Sequence, residues 1–386
     1  MPSANPGQAG GSMSREQALA FARSLENAVN THDVSSLVSF YADDAVLISP
    51  VFHQVTGRAA IKQNWEVIFS TYPDWSVRVS DVMLDGNRLA MMGTATATDR
   101  KGWFGLPPTG GVISYRAVIL LTFAAGKIVR DERLYDNSAV LEHLEKIRLD
   151  AELNTAAEVQ RSLLSRTVRS ASYYDIAGDS IASRTIGGDF FEFAELPSGG
   201  IGVALGDVAG KGPAAALLAA MLQGMLAFEA QAGRGPAETL ARMNRAVAER
   251  GLGWRLATLA YGILSPDGKF AYSNAGHNAP VLLRGAEVLR LASGGPILGA
   301  IADAVYSGET LQLNHGDAII MFSDGITESR NAGEAEFGEN RLIDSARAHR
   351  DEPSTQIAKC ILAEAREFSQ GRAQNDDMTV TVLRYL

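Results

Sequence analysis

Four short acidic motifs in the second half of the chain set an Asp beside Gly or at the end of an apolar run. They are Gly187-Gly188-Asp189, Gly206-Asp207-Val208-Ala209-Gly210-Lys211-Gly212, Ser323-Asp324-Gly325 and Asp376-Asp377-Met378-Thr379. A carboxylate at the tip of a buried strand is costly to desolvate and repels its neighbours. Several of them gathered in one place make chemical sense when divalent cations sit between them. Oxygen donors without a matching set of His or Cys favour Mg²⁺ or Mn²⁺ over Zn²⁺, and Gly beside the acids lets backbone and water come close. Taken singly, each motif is an ordinary turn; the four in this order point to a metal-assisted site.

The elements that must position these acids are β-rich runs at residues 201–207 (IGVALGD), 318–325 (AIIMFSDG) and 378–386 (MTVTVLRYL). Lys211 lies in a Gly-rich turn leading into a helix from Pro213, a place to meet a phosphate. Gly212 to Phe228 carries no charge, but it is marginal in length, rich in Ala and interrupted by Gln223 and Gly224. It reads as a buried helix and not as a membrane span. Cys360, the single cysteine, excludes an intramolecular disulfide framework and a multi-cysteine zinc site, and suits a reducing, cytoplasmic compartment. It lies on an expected helix at 354–368 beside Ile361 and Leu362, without the surroundings of an activated nucleophile.

The chain has 386 residues, 46% of them hydrophobic and 20% charged, which is enough for two domains with packed cores. Its net charge of −9 is unevenly spread: residues 1–169 hold 18 acids and 17 bases, and residues 170–386 hold 26 and 18. An acidic second half argues against nucleic acid as a partner, because phosphate backbones call for clustered Lys and Arg. Residues 1–13 have neither a basic start nor an apolar run, so they read as a flexible tail and not a signal peptide.

The first half is built differently. Ser14-Arg-Glu-Gln17 is a capping box, and Ala18, Phe21, Ala22, Leu25, Ala28 and Val29 follow at helical spacing. A short strand at Val46 to Ser49, a helix near 58–70 and four strands at 76–84, 88–98, 112–123 and 127–135 complete an α+β unit. Residues 138–166, without Gly or Pro and with alternating charge, predict a continuous connecting helix. Leu141, Leu144 and Arg148 start a heptad-like stripe there, which Asn154 and Thr155 interrupt.

This order of elements, with FYADDAVLISPVFHQVTGRAAIKQNWEVIF, resembles the nuclear transport factor 2-like (SnoaL-like) cone fold over residues 14–137. Members include isomerases, cyclases, ligand-binding modules and dimerisation modules that use the pocket inside the cone, and fold alone does not choose among them. Candidate pocket residues are Tyr41, His53, Trp65, Trp103, Tyr115 and Asp131. Aromatics in such a fold are usually core, and a His in a loop is usually solvated. The domain therefore reads as a ligand sensor or a dimerisation unit more readily than as a catalyst.

Residues 158–386 resemble the metal-dependent protein phosphatase (PPM) family, in its bacterial SpoIIE-like or RsbU-like sigma-regulatory branch. The resemblance is carried by EVQRSLL, IGGDFFEF, GDVAGKGPAAALLAAM, TLAYGIL, SNAGHNAP, GDAIIMFSDGITESRN, FGENRL and NDDMTVTVL. It implies a two-domain α+β protein whose C-terminal domain, residues 167–386, is an αββα sandwich with two Mn²⁺ or Mg²⁺ ions at one edge. By that resemblance Asp207 bridges both metals, the Val208 carbonyl and Asp189 complete one environment, and Asp324 and Asp376 hold the other, with Asp377 as supporting group or alternative ligand. Arg184, Lys211 and His277, in Asn274-Ala-Gly-His277-Asn278, are the candidate substrate contacts. Ala209 stands where Ser is frequent, and Phe191-Glu192 where Tyr-Asp is frequent; neither removes a proposed ligand.

The implied function is hydrolysis of phosphoserine or phosphothreonine on an anti-anti-sigma factor (STAS domain) in a partner-switching stress response. The first domain would control it as a small-molecule sensor or as a homodimer. The rival reading is a non-catalytic, metal-dependent regulator-binding protein.

Overall fold

The computed structural model describes residues 13–163, 167–251 and 256–386. The expected tail lies outside the described residues apart from Met13, as does the end of the expected connecting helix at 164–166. The chain divides into two compact units, Met1–Ala151 and Glu152–Leu386.

The first unit runs α1 (Arg15–Asn30), α2 (Val34–Ser39), β1 (Tyr41–Ser49), β2 (His53–Thr56), α3 (Arg58–Thr71), β3 (Ser76–Asp85), β4 (Arg88–Thr98), β5 (Val112–Ala124) and β6 (Lys127–Leu134). Both arms of the capping box form: Ser14 Oγ accepts from the Gln17 N–H at 3.2 Å, and Gln17 Oε1 accepts from the Ser14 N–H at 2.8 Å. The strands form one six-stranded sheet in the order β2-β1-β6-β5-β4-β3, in which β1 and β6 are parallel. Strand β1 begins five residues earlier than Val46. It pairs with β6 from Tyr41, and a bulge before Val46 leaves Asp43 and Asp44 exposed, which masks the apolar alternation. His53 opens β2 and is not in a loop; it is exposed, with φ of 54°.

Helix α4 (Asn137–Leu163) runs through the division between the units. The second unit continues with β7 (Val168–Ala171), β8 (Tyr174–Ile181), β9 (Phe190–Glu195), β10 (Ile201–Val208), α5 (Pro213–Ala230), α6 (Pro236–Glu249), β11 (Ala257–Leu264) and β12 (Lys269–Ala275). Then follow β13 (Val281–Arg284), β14 (Glu287–Arg290), β15 (Gly294–Gly295), β16 (Glu309–Gln312), β17 (Ala318–Phe322), α7 (Asp324–Thr327), α8 (Gly338–Ala348), α9 (Ser354–Phe368) and β18 (Met378–Tyr385). One sheet has the order β15-β12-β11-β10-β9 with β16 on β12; the other has the order β14-β13-β17-β18-β8-β7.

The side chains explain the layering. Alternate residues of a strand face opposite ways, so Val203 and Leu205 of β10 meet Ile319 and Met321 of β17 between the sheets. Ala204 and Val208 face outward under Leu218, Leu222 and Leu226 of α5. Ile320 of β17 and Val380 of β18 likewise face Ile357 and Ile361 of α9. Both faces of the central strands are buried, which is why they read as unbroken apolar runs and why the architecture is helix, sheet, sheet, helix. Helix α5 is long and apolar enough, by length and composition, to cross a membrane; here it packs on β10, and its Gln223 amide donates to the Phe191 carbonyl and the Glu192 carboxylate.

Candidate functional site

The two sheets of the second unit deliver the four acidic motifs as strand ends. Asp189 immediately precedes β9 and Asp207 is the penultimate residue of its antiparallel neighbour β10, with Phe190 opposite Gly206. In the other sheet Asp324 follows β17 and Asp376-Asp377 precede β18, with Phe322 opposite Val380. The four motifs thus come in two pairs, one pair per sheet. Asp207 is within electrostatic reach of Asp324 and Asp376, so the pairs share one edge of the sandwich.

Burial and mutual repulsion act on Asp189, Asp207 and Asp324. Burial pushes Asp189 well above the ordinary carboxyl value, and the charge of Asp207 pushes it further. Asp207 rises to about 6, through burial first and then Asp324 and Asp376. Asp324 is raised as well, by burial and by Asp376. Asp189 Oδ2 is buried without a hydrogen-bond partner, and such a group calls for a ligand or a cost. These hard oxygen donors fit divalent cations, whose charge would reverse the repulsion. Among the described residues no three His, Cys, Asp or Glu side chains are drawn together as a ligand cage. Asp376 instead pairs with Lys211 Nζ at 3.0 Å, which also donates to the Asn375 carbonyl.

Asp377 has a different task from Asp376. Its Oδ1 accepts from the Ser183 N–H at 2.7 Å and from Ser183 Oγ at 3.0 Å, and its Oδ2 accepts from the Gly188 N–H at 2.7 Å. Both oxygens are thus committed to the loop that carries Asp189, which makes Asp377 an anchor, while Asp376 remains half-exposed. At Gly188 a Cβ would come within 2.8 Å of the Val208 carbonyl oxygen, so only glycine allows that approach. Gln160 of α4 bonds Gly187 of the same loop in both directions. Neither role is legible locally, although Gln160 stands inside EVQRSLL and Asp377 inside an acid doublet.

The substrate candidates separate. Arg184 is exposed on a cavity of about 400 Å³ that it shares with Arg161, Asp189 and Asp377. Lys211 borders a second cavity of about 450 Å³ with Glu328, Arg330, Arg372 and Asp376. His277 is 7% exposed; its Nδ1 lies 2.7 Å from Thr258 Oγ1, and burial pushes it down to about 4. It is therefore a neutral strut of the β11–β12 edge, and its buried ring is not presented to a substrate. Cys360 sits on α9 as expected, with Gln356 Nε2 at 3.4 Å from its sulfur.

In the first unit, Tyr41, Trp65, Tyr115 and Asp131 line one cavity, whereas His53 and Trp103 do not. Trp103 is buried among Tyr72 and Trp75 and donates to Asn137 Oδ1 at 3.2 Å. His53 stays on an exposed edge strand.

Residues 197–386 match the family described as Stage II sporulation protein E (SpoIIE), and residues 21–131 match the SnoaL-like domain family. The chain is 25% identical over 259 residues to Protein IcfG of Synechocystis sp., covering 59% of this chain and 40% of the relative. It is 30% identical over 185 residues to the phosphoserine phosphatase RsbU of Bacillus subtilis, covering 47% of this chain and 55% of the relative. The matched stretches thus span between 40% and 55% of the length of these curated relatives. The SiaA-PP2C domain of Pseudomonas aeruginosa superposes with a TM-score of 0.55 at 21% identity, over 63% of this chain and 99% of that one, a likeness of fold. Residues 21–131 are thus similar to SnoaL-like domains, and residues 197–386 to the SpoIIE family.

Proposed function

We propose that the second unit is a metal-dependent phosphoserine/phosphothreonine protein phosphatase. The observation that carries this reading is the delivery of Asp189, Asp207, Asp324 and Asp376 from two facing sheets to one edge, where burial and neighbouring acids push up the carboxyls of Asp189, Asp207 and Asp324. Two ions, Mn²⁺ or Mg²⁺, would be held by Asp207, the Val208 carbonyl and Asp189, and by Asp324 and Asp376, and would supply Lewis acidity and an acidified water for in-line attack at phosphorus. Asp377 keeps the Asp189 loop in place through Ser183 and Gly188. Arg184 on one cavity and Lys211 on another would offer positive charge to the phosphoryl oxygens.

The substrate proposed is a phosphorylated STAS-domain anti-anti-sigma factor in a cytoplasmic partner-switching stress response. Similarity to the phosphoserine phosphatase RsbU supports it. Control by residues 14–137 through residues 138–166 is part of the same proposal. Gln160 on α4 supports that control, because it is hydrogen-bonded to the glycine two residues before Asp189. A homodimer is supported by Leu149, Val159 and Leu163 of α4, which are 53%, 58% and 48% exposed at heptad-related positions.

The test is phosphate release by the full chain from a phosphoserine STAS protein, beside an unrelated phosphoserine protein. Faster release from the STAS protein supports the substrate assignment. Equal rates leave a general phosphatase, and tight binding without release leaves the regulator-binding reading.

A further inference from the structure

Two cavities of the second unit lie end to end. The first, of about 450 Å³, opens beside Gly325 and Asp376 and carries Lys211, Glu328, Arg330, Glu334 and Arg372. The second, of about 530 Å³, carries Arg366, Glu367 and Arg372. Ser369, Arg372, Gln374 and Met378 border both, so together they form one groove. It starts at the acids of the proposed metal site and runs to the last turns of α9. Its four basic side chains are matched by four acidic ones, but the acids differ in how firmly they are committed. Asp376 is a proposed metal ligand, and once it faces a cation it no longer offsets Lys211.

Glu334 is the acid that covers Arg372. Its Oε1 lies 2.7 Å from Arg372 Nη2, and its Oε2 lies 3.9 Å from Arg330 Nη1. Asn331 closes the turn that presents it: Asn331 Oδ1 accepts from the Gly333 N–H at 2.9 Å and from the Ala335 N–H at 3.1 Å. The Asn331 carbonyl accepts from the Glu334 N–H at 3.1 Å and from Arg372 Nη1 at 2.7 Å. Glu334 has φ of 61°, a conformation that a residue with a Cβ keeps only where its surroundings impose it. The backbone is thus fixed, while the carboxylate stays 62% exposed. An ion pair this exposed is weak, and rotation of the side chain is enough to exchange it for another acid. Arg330 keeps Glu336 at 2.7 Å, and Arg366 is exposed with no ion pair among the described residues. Arg372 and Arg366 are therefore the cations open to an incoming anion. Against them stand Glu367, next to Arg366 in the chain, and Glu328, which is within electrostatic reach of Asp324 and Asp376 and so lies at the metal end.

We propose that this groove takes the chain segment flanking the phosphoserine, and that an acidic side chain of that segment replaces Glu334 on Arg372, with Arg366 placed to meet a second acid. The occupant is acidic because two bound divalent cations and the released Lys211 would leave the groove positive. The inference rests on the phosphatase reading of the second unit and adds to it a preference for acid near the phosphoserine.

The experiment uses the full chain with Mn²⁺ and short peptides that carry a central phosphoserine in an alanine background, each with a single Glu or Lys at one flanking position. Binding is read by fluorescence anisotropy with the phosphonomethylene analogues, which are not hydrolysed, and turnover by phosphate release from the phosphoserine forms. At one or more positions Glu is expected to tighten binding by about tenfold over the all-alanine peptide, and Lys to weaken it. Arg372→Gln should bring that ratio close to unity. Glu334→Gln should raise it by up to about fivefold, because no resident pair then has to open. Arg372 also supports the turn at Asn331, so Arg366→Gln, which breaks no ion pair, is measured beside it and should lower the ratio too. Equal binding of Glu and alanine peptides at every position, a preference for Lys, or a Glu preference that survives both Arg variants overturns the proposal, as does binding of none of the peptides. A chain that prefers Glu through Arg372 but releases no phosphate keeps the groove and loses the phosphatase reading. One that releases phosphate from every peptide with the same KM does the reverse.

Discussion

Gln160 and Gly187 are joined by two amide hydrogen bonds: Gln160 Nε2 donates to the Gly187 carbonyl at 2.8 Å, and the Gly187 N–H donates to Gln160 Oε1 at 3.2 Å. A side chain on a 27-residue helix therefore stands in for a strand partner of the loop that ends at Asp189. The bond is long-range in sequence and short-range to the acids, which makes it a positioning contact.

Gln160→Ala leaves both Gly187 groups without their partner, at a cost of about 1–3 kcal/mol if the loop stays in place. The expected result is a Mn²⁺ half-saturation concentration raised by about tenfold or more, with a change in Tm of only a few degrees. Metal titration of phosphatase activity beside a thermal melt checks it. An unchanged half-saturation would remove Gln160 from the account.

The two acids of the doublet should fail in different ways. Asp377→Ala strips the partners from the Ser183 and Gly188 N–H groups, and should lower stability by about 2–4 kcal/mol. Asp376→Ala removes a half-exposed acid paired with Lys211 and should cost under about 1 kcal/mol, while abolishing metal-dependent turnover. Urea melts and activity assays on both variants distinguish these roles.

That contrast also marks what could be read before the fold was known. Asp189, Asp207 and Asp324 are legible because Gly beside an acid at the end of an apolar run is a local pattern. The β-rich runs at 201–207 and 378–386 likewise forecast strands. The division of labour between Asp376 and Asp377 is not local: it depends on Ser183, 194 residues away along the chain. In the first unit the expected strand at Val46 was cut short because a bulge and the exposed Asp43 and Asp44 interrupt the period. Trp65 and Trp103 are alike as residues, and only packing places one on the cavity and the other among Tyr72 and Trp75.

Acidity should set how much the metal stabilises the second unit. The Asp207 carboxyl stands at about 6 in the fold, against an ordinary 3.8. A carboxyl raised on folding contributes stability below its unfolded value and loses it as pH rises through its folded value. In chelator, this group weakens the unit from about pH 4 to about pH 6, with Asp189 and Asp324 acting in the same direction. Mn²⁺ bound among these acids would reverse the charge balance, so the Tm increment from Mn²⁺ should grow across that window. Melts with Mn²⁺ and with chelator at pH 5 and pH 7 measure it, and an increment that shrinks with pH would contradict the electrostatic account.

On the proposed metal assignment, Lys211, which pairs with Asp376, would compete with a cation for it. Lys211→Met removes the resident positive charge, and the exposed pair is worth up to about 1 kcal/mol. Metal affinity should therefore tighten by up to about fivefold, as read by calorimetric titration with Mn²⁺. Weaker binding would mean that Lys211 organises Asp376 and does not compete for it.

The most direct test of the central claim is phosphate release from a phosphoserine protein by the full chain and by its Asp207→Asn variant, each with Mn²⁺ and with chelator. The account predicts Mn²⁺-dependent release that chelator abolishes and that Asp207→Asn lowers by about a thousandfold or more. Release that persists in chelator, or that Asp207→Asn leaves unchanged, would contradict it.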